Sequence, residues 1–268
     1  MVSLMARPHF KHIYGPVYSW RLGMSLGIDP LTTDKKYCSF NCSYCQLGAN
    51  RDVCLDRRAF VPVEEVVAEV KALEPHSQID YLTFSGHGEP TLASNLGEMI
   101  RAVKSIRNDK VAVITNSSTV IRPDVQADLK LADLVLFKID AADQKTFEVL
   151  AQPVPGLKLE NIVRGIKDFK KTFKGKLALQ MMFVAANKSW APEMASLARD
   201  IAPDEVQINT PLRPGNEKPL SEAEMAQIKK CFISAGLSNV RSVYEEEKKE
   251  CKPFDEHATV KRHGRYKG

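Results

Sequence analysis

Cys38, Cys42 and Cys45 fall in one eight-residue run, Cys38-Ser-Phe-Asn-Cys42-Ser-Tyr-Cys45, with the spacing C-x3-C-x2-C. Three thiolates this close can ligate three irons of a four-iron cubane and leave the fourth iron without a protein ligand from the loop. An open coordination position is what separates a catalytic metal site from a structural one. The same thiols also suit a zinc site completed by a distant fourth ligand, or a chance cluster of buried thiols. Zinc loops, however, favour two-residue gaps and usually a second cysteine pair.

Other residues able to do chemistry sit where apolar runs stop. Tyr81 to Ser85 is followed by Gly86-His87-Gly88-Glu89-Pro90. Glycines there let a backbone approach a ligand closely, and a carboxylate suits a cationic amine. His87 is either an exposed loop residue or one that reaches substrate. Thr115-Asn116-Ser117-Ser118 offers polar groups that also serve as ordinary turn and cap residues. Lys138 and Asp140 flank Ile139 and so share one strand face. They are candidate catalytic residues at a barrel mouth, or a structural ion pair. Gln180 and Met182 share a face in the same way, and Asn209 closes the last strand of the series.

The elements that must position these residues alternate short β-branched runs with amphipathic helices. Strands are expected at Met24 to Asp29, Tyr81 to Ser85, Val111 to Thr115, Leu134 to Ile139, Leu177 to Val184 and Val206 to Asn209. Helices are expected at Val63 to Leu73, Leu96 to Ile106, Asp124 to Ala132, Lys158 to Phe173 and Ala191 to Ile201. The alternation argues for βα units on a parallel sheet, and six such units suit an open, partial barrel better than a closed eightfold one. The expected class is α/β, a partial (βα)6 TIM-like barrel. A short N-terminal lead-in precedes it, and a C-terminal helical and tail extension follows. The chain reads as a single domain over 1–268, with the core barrel at about 22–212 and the extension at 213–268. Within the extension, Ser221 and Glu224 form a capping box that opens a helix over 221–235, and a short strand follows Ser238.

Composition narrows the classes. The 268 residues are 44% hydrophobic and 26% charged, ordinary for a globular chain with ample length for a core. No apolar run reaches the roughly 20 residues that span a bilayer. The first residues lack the apolar stretch of a signal peptide, so the expectation is a cytoplasmic protein without a membrane partner. Six cysteines do not read as a disulfide framework here, because three are packed in one loop. The net charge of +5 and the basic residues Lys261, Arg262, Arg265 and Lys267 permit nucleic-acid binding without requiring it. Residues 260–268 are expected to be a frayed, solvated segment.

The cysteine spacing, with Tyr44 before the third thiol and the Gly-x-Gly-Glu-Pro turn one βα unit later, resembles the radical S-adenosylmethionine (SAM) superfamily. The lead-in Tyr14 to Asp29, Cys45-Gln-Leu-Gly48 and Ser-Gly-x-Gly-Glu-Pro-Thr-Leu (85–92) resemble one branch of it, over about residues 13–215. That branch holds uncharacterised iron–sulfur oxidoreductases and the archaeal tRNA wybutosine-synthesis enzyme. The resemblance implies a (βα)6 core with a [4Fe–4S] cluster on Cys38, Cys42 and Cys45, and SAM as second cofactor. SAM would be contacted by Tyr44, Gly86, Gly88, Glu89, Asn116, Ser117, Gln180 and Asn209, with Trp20 and Arg21 as further rim candidates. It implies reductive cleavage of SAM to a 5′-deoxyadenosyl radical that abstracts hydrogen from substrate. It also implies an electron donor of the flavodoxin or ferredoxin kind, and an anaerobic or microaerobic setting. The substrate class stays open between small molecule, protein and RNA, so an activase acting on a partner protein and an RNA-base modifier both stand. A non-catalytic metal-binding module is a further alternative. No cysteine precedes Cys38, unlike the wybutosine enzyme with its second cluster; Cys54, Cys231 and Cys251 would have to hold any auxiliary one.

Overall fold

The computed structural model describes residues 9–50, 52–73, 78–213, 215–245 and 249–263. Its centre is one eight-stranded sheet whose spatial order follows the chain. The strands are β1 (Ile13–Ser19), β2 (Gly23–Ile28), β3 (Tyr81–Phe84), β4 (Lys110–Thr115), β5 (Leu134–Lys138), β6 (Lys176–Met182), β7 (Glu205–Asn209) and β8 (Val240–Ser242). β1 pairs antiparallel with β2, and every later neighbour is parallel. The helices are α1 (Val63–Lys71), α2 (Leu96–Ile106), α3 (Pro123–Leu129), α4 (Gln144–Ala151), α5 (Leu159–Thr172), α6 (Ala191–Ile201), α7 (Glu222–Ser234) and α8 (Glu256–His263). The sheet curls into the expected partial barrel.

Side-chain periodicity explains the layers. On β5, Val135 and Phe137 face the helices, where the Phe137 ring meets Phe169 of α5 edge-on at 5.4 Å. Leu134 and Leu136 face the other way and pack with Leu22, Ala112 and Ala178 as a small apolar floor inside the curl. Towards the carboxyl ends of the strands the same inner face turns polar. Lys138 stands opposite Gln180, Gln180 opposite Gln207, and Met182 opposite Asn209. Helices bury the complementary stripes, such as Leu96, Met99, Ile100 and Val103 of α2.

The elements expected from sequence between 24 and 210 are present, with ends shifted by a few residues. Three features differ. The lead-in, for which no strand was expected, forms β1. α4 was not anticipated; it starts where Asp143 accepts a hydrogen bond from Thr146 N at 2.9 Å. The frayed reading of 260–268 is wrong for its first part: α8 runs to His263, and Arg262 is buried against Asp29. Residues 264–268, with Arg265 and Lys267, lie outside the described residues. The short strand after Ser238 joins the sheet as β8. From it Arg241 reaches back to the carbonyls of Trp20 and Arg21 in the β1–β2 turn, linking the two edges of the curl. Among the described residues no helix is long and apolar enough to cross a membrane.

Candidate active site

The cysteine loop leaves β2 at Asp29, a fully buried carboxylate. Its Oδ1 accepts from the amides of Leu31 and Thr32, both at 3.1 Å, and so shapes the first turn of the loop. The loop then runs beside the turn after β3. Tyr37 N donates to His87 O at 3.1 Å and Glu89 N donates to Tyr37 O at 3.0 Å. This close approach accounts for Gly88, where a Cβ would lie 1.7 Å from Tyr37 O. Gly86 is required by Asp29, whose carboxyl carbon a Cβ would meet at 2.3 Å. His87 is held by the Thr33 carbonyl through Nδ1 at 2.8 Å.

All three cysteines are free thiols; Cys38 is buried, and Cys42 and Cys45 are partly so. Donors stand at two of the sulfurs. Lys36 Nζ lies 3.2 Å from Cys45 Sγ, and Asn116 Nδ2 lies 3.5 Å from Cys38 Sγ and 2.9 Å from Ser39 Oγ. Burial, assisted by Glu89, pushes the Cys38 thiol up to about 12. Burial pushes Cys42 to about 11 against the opposing pull of Lys138. Such thiols keep their protons until a metal cation displaces them. Among the described residues no three Cys, His, Asp or Glu side chains converge on a single ion; a cubane spreads its thiolates over separate corners.

Glu89 is buried and already engaged by this chain. Oε1 accepts from Thr91 N (3.1 Å), Thr91 Oγ1 (2.6 Å) and Thr115 Oγ1 (2.7 Å), and Oε2 accepts from Asn116 N (2.6 Å). Burial raises its pKa, while those hydrogen bonds pull the other way. Glu89 therefore clasps the ends of β3 and β4 together. Ser117 donates to Lys138 O at 3.0 Å, carrying the bracing on to β5. Lys138 and Asp140 do pair, at 3.5 Å. Asp140 is also an anchor: it accepts from Met182 N at 2.7 Å and from the phenol of Tyr44. Burial and the adjacent carboxylate hold Tyr44 far above the ordinary tyrosine range, so it remains a donor. The Lys138 ammonium lies 5.0 Å from the centre of the Tyr44 ring.

A cavity of about 260 Å³ opens beside the loop. Tyr44, Cys45, Lys138, Gln180, Met182 and Asn209 all line it, and so do Trp20 and Arg21. Reading faces from strand periodicity thus gathered residues that share one space. Glu89, Asn116 and Ser117 do not line the cavity; Glu89 and Asn116 brace the cysteine loop, and Ser117 ties the end of β4 to β5. Lys36 was missed, although a cation two residues before the first thiol was a visible signal. Gln46 and Arg213 were also missed; they join at 2.9 Å on the cavity wall. The remaining cysteines are scattered. Cys54 N donates to Cys38 O, Cys231 bonds Gln227 O within α7, and Cys251 bonds Pro16 O.

The family model described as the Radical SAM superfamily matches residues 35–198, the segment from the cysteine loop through most of α6. The chain belongs to the radical SAM superfamily. A UPF0026 protein of Synechocystis sp. is 39% identical over 212 residues, covering 79% of this chain and 78% of that protein. The structure of TYW1 with a lysine–pyruvate adduct bound superposes with a TM-score of 0.59 at 14% identity, over 78% of this chain and 73% of that one. Native anSMEcpe with bound AdoMet gives 0.61 at 18% identity, over 82% and 64%. These two likenesses speak to the fold. Membership makes the chain an enzyme whose cofactors are a [4Fe–4S] cluster and SAM, and which needs a reductant. The donor set suits that cluster, with three free thiols in one loop and N–H donors at two of them.

Proposed function

We propose that this radical SAM enzyme holds its cluster through Cys38, Cys42 and Cys45 and acts on a substrate bound in the adjoining cavity. The observation that carries the reading is that Cys45 and Tyr44 share that cavity with Lys138, Gln180 and Asn209. Reduced and loaded with SAM, the cluster supplies a 5′-deoxyadenosyl radical able to abstract hydrogen from substrate. The chain's own tasks are to bind, orient and shield. Lys36 and Asn116 offset thiolate charge with hydrogen bonds. The backbone of the Gly86–Gly88 turn, and the Oε2 of Glu89, which has one donor against three at Oε1, are the groups offered to an amine. Lys138 offers a cation for a carboxylate, and Gln180 and Asn209 offer amides for a nucleoside.

The electron donor is a flavodoxin- or ferredoxin-like protein, and the enzyme works in the cytoplasm. Of the substrate classes, RNA loses part of its support, because Arg262 is spent inside the fold rather than offered on a basic surface. The test is anaerobic reconstitution followed by addition of dithionite and SAM. The expected product is 5′-deoxyadenosine, abolished by replacing any one of the three cysteines with alanine. A fully loaded cluster that yields none overturns the proposal.

A further inference from the structure

The C-terminal helix α8 is joined to both ends of the cysteine loop through one residue. Arg262 is 6% exposed and Asp29 is completely buried. The Arg262 Nε donates to Asp29 Oδ2 at 2.8 Å, and its Nη2 donates to the Lys11 carbonyl. Asp29 is the residue whose other oxygen shapes the entrance of the loop at Leu31 and Thr32. At the exit, Gln46, directly after Cys45, donates from Nε2 to the Arg262 carbonyl at 3.2 Å. The helix is itself fastened to β1: Gly15 N donates to Thr259 Oγ1 at 2.9 Å, and Phe254 N donates to Gly15 O at 2.7 Å. Asp255, at the start of α8, accepts from Phe10 N at 3.1 Å and from Ala258 N at 2.9 Å.

We infer that α8 is a latch on the cysteine loop and that Arg262 is its positioning residue. Asp29 cannot leave its place, because Gly86 and the loop amides surround it, and a carboxylate without exposure needs a charge partner. Arg262 supplies that partner from outside the segment matched by the family model, which ends at residue 198. With Arg262 seated, the entrance and exit of the loop are fixed to one rigid helix, and the three thiols between them are held at a set separation. Without its side chain, the loop gains freedom at its entrance, where Asp29 loses its partner, while the exit bond from Gln46 to the residue 262 carbonyl and the sheet beneath are untouched. This inference rests on the reading that the three cysteines hold the cluster.

The test uses the reconstituted holoenzyme and measures release of iron to excess EDTA under anaerobic conditions, together with the thermal midpoint and circular dichroism of the same samples. Arg262→Met is expected to release iron about 10-fold faster than the unaltered enzyme, or more, under conditions where the fold is intact. Arg262→Lys, which keeps a cation opposite Asp29, is expected to recover most of the difference. Should Arg262→Met fail to fold, the Asp29→Asn/Arg262→Met pair decides. It removes the buried unpaired charge, keeps an oxygen for the Leu31 and Thr32 amides, and is still expected to release iron faster. Release at the unaltered rate from either variant, or no recovery with lysine, overturns the latch. An unaltered enzyme that takes up no cluster would instead sink the underlying assignment of the cysteines.

Discussion

Replacing Glu89 with glutamine asks whether this residue holds the fold together before any cofactor arrives. Each carboxyl oxygen accepts a main-chain N–H, Oε1 from Thr91 and Oε2 from Asn116. A carboxylate satisfies both, and so does a carboxylic acid, because the protonated oxygen keeps a lone pair and the proton can turn to a threonine hydroxyl. An amide cannot, since whichever way it is flipped its NH2 meets one of the two N–H groups. One buried donor loses a partner and faces another donor, which together cost about 3 kcal/mol. For a chain of this size that lowers the thermal midpoint by roughly 5 °C. The assay is thermal or urea unfolding of the iron-free protein without SAM, so ligand contacts play no part. pH adds a check. The folded-state pKa of Glu89 is raised by burial. Its contribution is therefore fully present below the unfolded value and is lost as pH rises through the folded one. That component of the stability profile should vanish in Glu89→Gln. A variant as stable as the parent, with an unchanged profile, would show that the clasp is not structural.

Other perturbations separate the remaining roles. Lys36→Met removes a cation 3.2 Å from Cys45 Sγ and should make the cluster harder to reduce; an electron-paramagnetic-resonance redox titration should find the potential on the order of 100 mV lower. Gly88→Ala places a methyl group where Tyr37 O already stands, so the loop must detach from the β3 turn; iron uptake should fall to near the background of a triple cysteine variant while circular dichroism keeps the barrel signal. Serine at Cys54, Cys231 and Cys251 together should leave iron content at about four per chain by elemental analysis, since Cys54 bonds Cys38 through its backbone N–H while the Cys231 and Cys251 thiols bond the Gln227 and Pro16 carbonyls in other parts of the chain.

What was legible in the sequence follows from the range of the forces involved. β3 to β6 are mostly apolar runs because both faces of a parallel sheet are covered, and the ends of β2 to β7 fell within a few residues of the expected ones. Lys138, Gln180 and Asn209 were legible because the two-residue period of a strand is local geometry. β1 was not, since Gly15 and Pro16 interrupt it and its partner register shifts between Tyr14 and Val17. Arg262 was unreadable for a different reason: a basic residue in a charged segment looks solvated until the fold brings it to Asp29, 233 positions away. The bracing role of Glu89 was unreadable too, because the donors that engage it come partly from the next strand, which no local pattern reveals.

The cysteine loop has no regular secondary structure of its own, so its geometry has to come from its neighbours. Asp29 sets its entrance, His87 O and Glu89 N hold Tyr37, and Asn116 reaches Ser39 and Cys38. On the far side, Ser43 N donates to the Leu150 carbonyl of α4, and Asp140 takes the phenol of Tyr44. The ends of β2, β3, β4 and β5 therefore each contribute a brace, made of one or two hydrogen bonds to a short segment. Preorganisation of this kind places the ligand-bearing groups before the ligand arrives and spares the ordering that binding would otherwise require. It also divides the consequences of damage. Loss of a core residue such as Phe169 should unfold the barrel, whereas loss of a single brace should leave the barrel standing with a loop that no longer presents three thiols together. A variant series across Asn116, Asp140 and Tyr44 should accordingly lose cluster before it loses structure, and the reverse order would mean that the loop is held by its cluster rather than by its braces.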